Sequence, residues 1–221
     1  MNTILDSKLI DNCRVNNEWN LGNKVLYDLC ATHFTHDTSE RVLAKTSLIG
    51  RAYAAAIERR KNKTDINGNF YIDIVAPAFK NSKLDILLAE LKGIKTLSLD
   101  TLPLIIDSHY YLTKLLYEIT KLDKRSFSSK YLHFHLPELF FIYDSRAILA
   151  MRHFVKKLPK NLIPMTNRQN TDKEYSRFVY KCFYLQQLIK EQHNILVTPR
   201  QLDNLLIQNA NKKSELGLGL S

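Results

Sequence analysis

The chain has 221 residues, 45% of them hydrophobic and 24% charged, with 32 Lys+Arg against 22 Asp+Glu and a net charge of +10. That length buries a real core, that composition excludes a disordered chain, and the positive surplus favours polyanions, either nucleic acid or an anionic membrane face. The longest uninterrupted apolar run, Ala52 to Ile57, is far too short to span a bilayer.

At the N-terminus, Met1 to Cys13 carries charges and amides where a signal peptide is apolar. Cys13, Cys30 and Cys182 are odd in number and far apart, which implies no disulfide framework and cannot supply the four thiolates of an iron–sulfur cluster. A reduced, cytoplasmic chain with no membrane attachment is expected. Cys30, His33 and His36 have ligand-like spacing, yet a helix end bearing surface histidines explains them as well, and no metal or other cofactor is assigned. Val42, Lys45, Thr46, Ile49, Tyr53, Ala56 and Ile57 predict a long helix over about 39–61, ending in Arg59, Arg60 and Lys61. Leu84, Leu87, Leu88 and Leu91 mark a shorter one. Leu104, Ser108, Tyr111, Leu112, Leu115, Leu116 and Ile119 form the stripe of a helix over about 103–120. Residues 158–170 read as a loop. Thr171 to Glu174 reads as a capping box ahead of Tyr175, Phe178 and Val179, and Thr198-Pro199-Arg200-Gln201 as another, with Leu202, Leu205 and Leu206 facing inward. The expectation is an all-α fold: one compact helical domain over 1–208, whether undivided or as two lobes meeting near 122–146, and a flexible tail over 209–221.

The chemistry concentrates in Ser126-Phe127-Ser128-Ser129-Lys130 and Phe141-Ile142-Tyr143-Asp144-Ser145-Arg146. The first reads as a tight polar turn placing Lys130 in the first turn of a short apolar helix over about 129–136, stopped by Pro137. The second opens the next helix with Asp144. An extended return from Pro137 to Tyr143 spans up to about 23 Å, ample to bring Asp144 back beside Lys130. A lysine desolvated by Phe127, Tyr131 and Phe134 becomes a better nucleophile, while a carboxylate at a helix start stays ionised. Such a pair suits attack on an acetal-like carbon with stabilisation of the positive charge that develops there. Each residue also has a plain reading: a solvated lysine, and an ordinary N-cap aspartate. His133 and His135, two apart, point in different directions on a helix and share no metal.

Segment 122–146 resembles the end of the helix–hairpin–helix motif and the catalytic loop of the 8-oxoguanine DNA glycosylases. The resemblance implies that Lys130 attacks sugar C1′ to form a Schiff base, that Asp144 assists base departure, and that β-elimination follows. It further implies duplex DNA, damaged or intact, as partner, with Lys124, Arg125, Ser126, Ser128, Ser129 and Arg146 on the phosphates and Phe134 stacking on an extruded base. Serines stand where the family has hairpin glycines, which bears on the hairpin's contact to phosphate. Nine Lys+Arg and three Asp+Glu lie between 121 and 160, six of the ten net positive charges. Two rivals share these residues: a non-catalytic nucleic-acid-binding module of the same fold, and a helical protein-interaction factor.

Overall fold

The computed structural model describes residues 5–15, 18–58 and 69–215. Among them the chain is all-α, with no strand. The helices are α1 (Ser7–Arg14), α2 (Glu18–Thr32), α3 (Ser39–Ala52), α4 (Ala76–Lys80), α5 (Leu84–Lys92), α6 (Leu102–Thr120), α7 (Arg125–His135), α8 (Ser145–Phe154), α9 (Lys173–His193) and α10 (Pro199–Glu215). A π-helical segment, Tyr71–Val75, runs directly into α4, and a 3₁₀ turn, Pro164–Asn167, sits inside the expected loop.

The arrangement centres on α7, which packs against α2, α3 and α6, while α10 lies against α1, α8 and α9. Every residue from Phe127 to His135 is buried, so α7 is a core helix enclosed all round. It carries polar groups into that core, and most are satisfied. His133 donates from Nδ1 to the Phe140 carbonyl at 2.8 Å and accepts the Tyr27 hydroxyl at Nε2, 2.7 Å away. His135 donates from Nδ1 to the Tyr131 carbonyl, and its Nε2 lies 3.2 Å from the Lys45 amine. The Tyr131 hydroxyl reaches His36 Nε2 at 2.6 Å, and His36 Nδ1 meets Asp85 Oδ1 at 2.5 Å. Burial holds these imidazoles neutral: it lowers His133 to about 3 and pushes His36 and His135 below the ordinary range. The two histidines of α7 thus face different neighbours, as their spacing requires.

Several expectations shift. The helix expected over 39–61 ends at Ala52. Ala54 has φ 50°, and the chain folds back so that Ala55 N–H donates to the Gly50 carbonyl at 2.8 Å. Gly50 makes this possible, since a Cβ there would lie 3.2 Å from Ala56 Cα. Arg59, Arg60 and Lys61 lie outside the described residues. The α6 stripe is rotated: Leu102, Ile105, Ile106, His109, Leu112 and Leu116 are buried, while Leu104 is exposed. The first C-terminal cap falls one residue later than expected, on Asp172, whose carboxylate accepts from Glu174 and Tyr175 N–H, both 3.1 Å away. The second is a reciprocal box between Thr198 and Gln201. The tail expected from 209 begins inside α10, where Ala210 is still buried, and residues 216–221 lie outside the description.

Candidate functional site

Lys130 sits in the second turn of α7, because the helix begins at Arg125 and takes in Ser126, Ser128 and Ser129. The serine turn expected before the lysine is therefore helix. Serine lets α7 start early, since its hydroxyl bonds back to the helix backbone: Ser129 Oγ donates to the Ser126 carbonyl at 2.9 Å. The same oxygen accepts Tyr143 N–H at 3.0 Å. That contact pins the return segment against α7 one residue before Asp144. Asp144 then caps α8, accepting Ala147 N–H at 2.9 Å. Its other oxygen, Oδ2, lies 3.8 Å from Lys130 Nζ.

The structure thus brings Lys130 and Asp144 together. Lys130 is 3% exposed, and its amine donates to Ser126 Oγ at 2.9 Å and to the Tyr53 carbonyl at 3.5 Å. It also stands 5.7 Å from the centre of the Tyr53 ring. Burial pulls its pKa below the ordinary lysine value, with the nearby Asp144 carboxylate opposing. Lying past the first turn of α7, it owes that shift to desolvation and little to the helix dipole.

Both groups line a cavity of about 340 Å³, within the range of small-ligand pockets. Its walls come from the end of α3 (Tyr53), α7 (Lys130), the start of α8 (Asp144, Arg146) and α10 (Arg200, Asp203). Arg200 Nη1 donates to Asp203 Oδ2 at 2.9 Å and reaches the Tyr53 hydroxyl at 3.4 Å; Tyr53 in turn donates to Asn23 Oδ1. Asp203 is 7% exposed, and burial raises its pKa to about 6. The sequence reading passed over Tyr53, Arg200 and Asp203. A signal existed for Asp203: it stands three residues before Leu206 and seven before Ala210, a carboxylate on the inward face of α10.

Other expected site residues are placed elsewhere. Phe134 is 1% exposed and packed between Tyr27 and Tyr53, so no base stacks on it; the aromatic face in the cavity is Tyr53. Ser128 and Ser129 are wholly buried and reach no phosphate. Arg125 pairs with Asp172 at 2.5 Å and Glu174 at 2.9 Å, tying the start of α7 to α9. Lys124 Nζ donates to the Ala56 carbonyl at 3.3 Å. Ser126 is occupied by the Lys130 amine. Arg146 is exposed at the cavity mouth, and Arg152, Lys156, Lys157 and Lys160 are exposed along the stretch that follows.

Both ring nitrogens of His36 are engaged, and Cys30 is buried with its thiol pushed up to about 12. Among the described residues no three His, Cys, Asp or Glu side chains are grouped to hold a metal, and no helix is long and apolar enough to cross a membrane. Comparison of the chain with protein-family models, curated proteins and solved structures finds no match.

Proposed function

We propose that this cavity is the active site of a base-excision enzyme of the DNA glycosylase and lyase type, with Lys130 as nucleophile. The observation that supports it best is a desolvated lysine amine beside a carboxylate, opening into a cavity with an arginine at its mouth. A surface lysine is almost wholly protonated near neutral pH and attacks nothing, whereas a buried one reaches its neutral form. In the reaction, the nitrogen lone pair of Lys130 forms a bond to C1′ of an extruded nucleotide. The C1′–base bond breaks and its electron pair leaves with the base. The proton on the new ammonium moves to the ring oxygen as the sugar opens, leaving a protonated Schiff base. Asp144 stabilises the positive charge at C1′, and Tyr53 offers its face to the base. Arg146, with the exposed lysines that follow it, tracks the phosphates.

Borohydride reduction during incubation with abasic-site and damaged duplexes tests this. Wild type gives a covalent adduct, and Lys130→Gln gives none while still binding duplex. Absence of an adduct with wild type across the panel removes the nucleophile.

A second reading rests on the occupied amine. Lys130 already holds Ser126, Tyr53 and Asp144, which also describes a structural ion pair in a non-catalytic nucleic-acid-binding module. That reading expects salt-dependent duplex binding, no adduct, and marked destabilisation of Lys130→Gln, because the substitution leaves a half-buried carboxylate unpaired.

A further inference from the structure

The Lys130–Asp144 pair leaves one strongly polar group of the cavity unexplained. Asp203, on α10, lines the same space. Only one of its oxygens is used: Oδ2 accepts from Arg200, while Oδ1 meets no hydrogen-bond partner among the described residues. A carboxyl more than nine-tenths buried with an empty oxygen is costly to a fold, and a bound molecule supplying the missing partner removes the cost. Arg200 Nε is likewise buried and without a partner among the described residues. Asp203 and Arg200 line the cavity together with Lys130, and each carries a buried polar atom short of a partner, which marks their side as the place where the departing part of a substrate sits.

We propose that Asp203 is the acid of the reaction: as the bond from C1′ to the base breaks, its hydroxyl proton passes to the base, and the cavity is built for bases that are electrically neutral. This rests on the base-excision reading above. Neutral lysine, neutral nucleotide and protonated Asp203 become an ammonium bonded to C1′, a neutral free base and the Asp203 carboxylate, so charge and atoms balance. A neutral purine or pyrimidine leaves poorly as an anion and well once protonated. A ring-alkylated base already carries positive charge and needs no such help. The surroundings of Asp203 support its acid role. Burial is the main cause that raises it to about 6, and Asp144 pushes the same way, against Arg200, Lys130 and Arg146. His133 on α7, lowered by burial to about 3, faces Arg200, and Tyr27 on α2, Tyr53 after α3 and Cys182 on α9 face it or Asp203. Burial pushes the last three above their ordinary values, so all stay neutral while Asp203 titrates.

The test compares two rates in one enzyme: release of a neutral damaged base from duplex, and borohydride trapping on a preformed abasic site, where no base departs. Both need neutral Lys130, so their ratio cancels the lysine and reports the acid. In wild type the ratio falls about tenfold per pH unit above about 6. In Asp203→Asn it is lower by ~100-fold or more at the acid end and independent of pH. Release of 7-methylguanine, which is cationic, loses far less than release of the neutral base in the same variant. Trapping with a flat wild-type ratio, or equal losses on neutral and cationic bases, overturns the acid role and leaves Lys130 standing. No wild-type trapping overturns both. Because the wild-type pH profile needs no substitution, a variant that fails to fold does not shield the proposal.

Discussion

Replacing Asp203 with asparagine should stabilise the protein near neutral pH and lose that advantage in acid, because the native cavity holds a carboxyl in a place suited to a neutral group. The folded-state pKa is raised from 3.8 to about 6, so the native state binds the proton more tightly than the unfolded chain does. The sign follows. Stability from that proton is fully present below pH 3.8 and is lost as pH rises through about 6. A shift of about two units corresponds to roughly 3 kcal/mol in all, of which about 2 kcal/mol falls between about pH 4.5 and about pH 7. Asparagine keeps the shape and still accepts from Arg200, but has no proton to lose. Its other effects, chiefly a weaker bond to the guanidinium, add an offset that does not change with pH. Urea unfolding of both proteins at several pH values, with the variant-minus-wild-type difference plotted against pH, isolates the group. That difference should rise towards neutral pH by about 2 kcal/mol in the variant's favour. A flat difference, or one that slopes the other way, would show that the carboxyl is comfortably ionised in the fold.

Lys45→Met should destabilise by about 3–5 kcal/mol near neutral pH, read by the same unfolding assay, because the amine holds the carbonyls of His33, Phe34 and Thr35 at the end of α2 and methionine orphans all of them. Burial lowers Lys45 from 10.5 to about 8, so wild type alone gains roughly 3 kcal/mol as pH rises across that interval and the gap to the variant widens; a loss under about 1 kcal/mol would dismiss the structural role. Arg146→Ala should leave unfolding unchanged within about 0.5 kcal/mol, since the side chain is exposed. In duplex binding it should reduce the slope of log K against log salt by about 1, and an unaltered slope would remove Arg146 from the phosphate contacts.

Helix positions were legible where local pattern decides them. The stripes of α5 and α6 and the caps near Asp172 and Thr198 need only neighbours along the chain. The end of α3 was not legible, because Ala54 adopts a positive φ for a tertiary reason, the approach of Ala56 to Gly50. Nothing in Ala52-Tyr53-Ala54-Ala55-Ala56 breaks a helix by propensity. α1 and α2 were missed for the converse reason, since polar residues crowd their sequences and their buried faces are narrow. The pairing of Lys130 with Asp144 was legible as reach along the chain. Its means was not: Ser129 is the clamp that aligns the return segment, a role hidden in a residue expected to meet phosphate. Phe134 was misplaced because aromatic residues next to a lysine look alike whether they line a cavity or the core. Tyr53 takes that place through a contact 77 positions away in sequence.

The strongest reason to treat Lys130 as chemical comes from the other buried lysine among the described residues. Lys45 is wholly buried, and three carbonyls and His135 Nε2 crowd its ammonium within 3.3 Å. It is not among the residues lining the cavity of Lys130, and its lowered pKa is a consequence of packing. Lys130 is as desolvated in kind but arranged differently. Its carboxylate partner is at 3.8 Å, longer than a good hydrogen bond, and one acceptor is at the 3.5 Å limit. Only Ser126 holds it closely. Asp144 is held where it is by its cap on Ala147 N–H and by Tyr143, one residue before it, on Ser129. Burial alone therefore does not separate the two lysines; the place of Lys130 on a cavity wall, in a cavity that a second carboxyl with an unmet oxygen also lines, does.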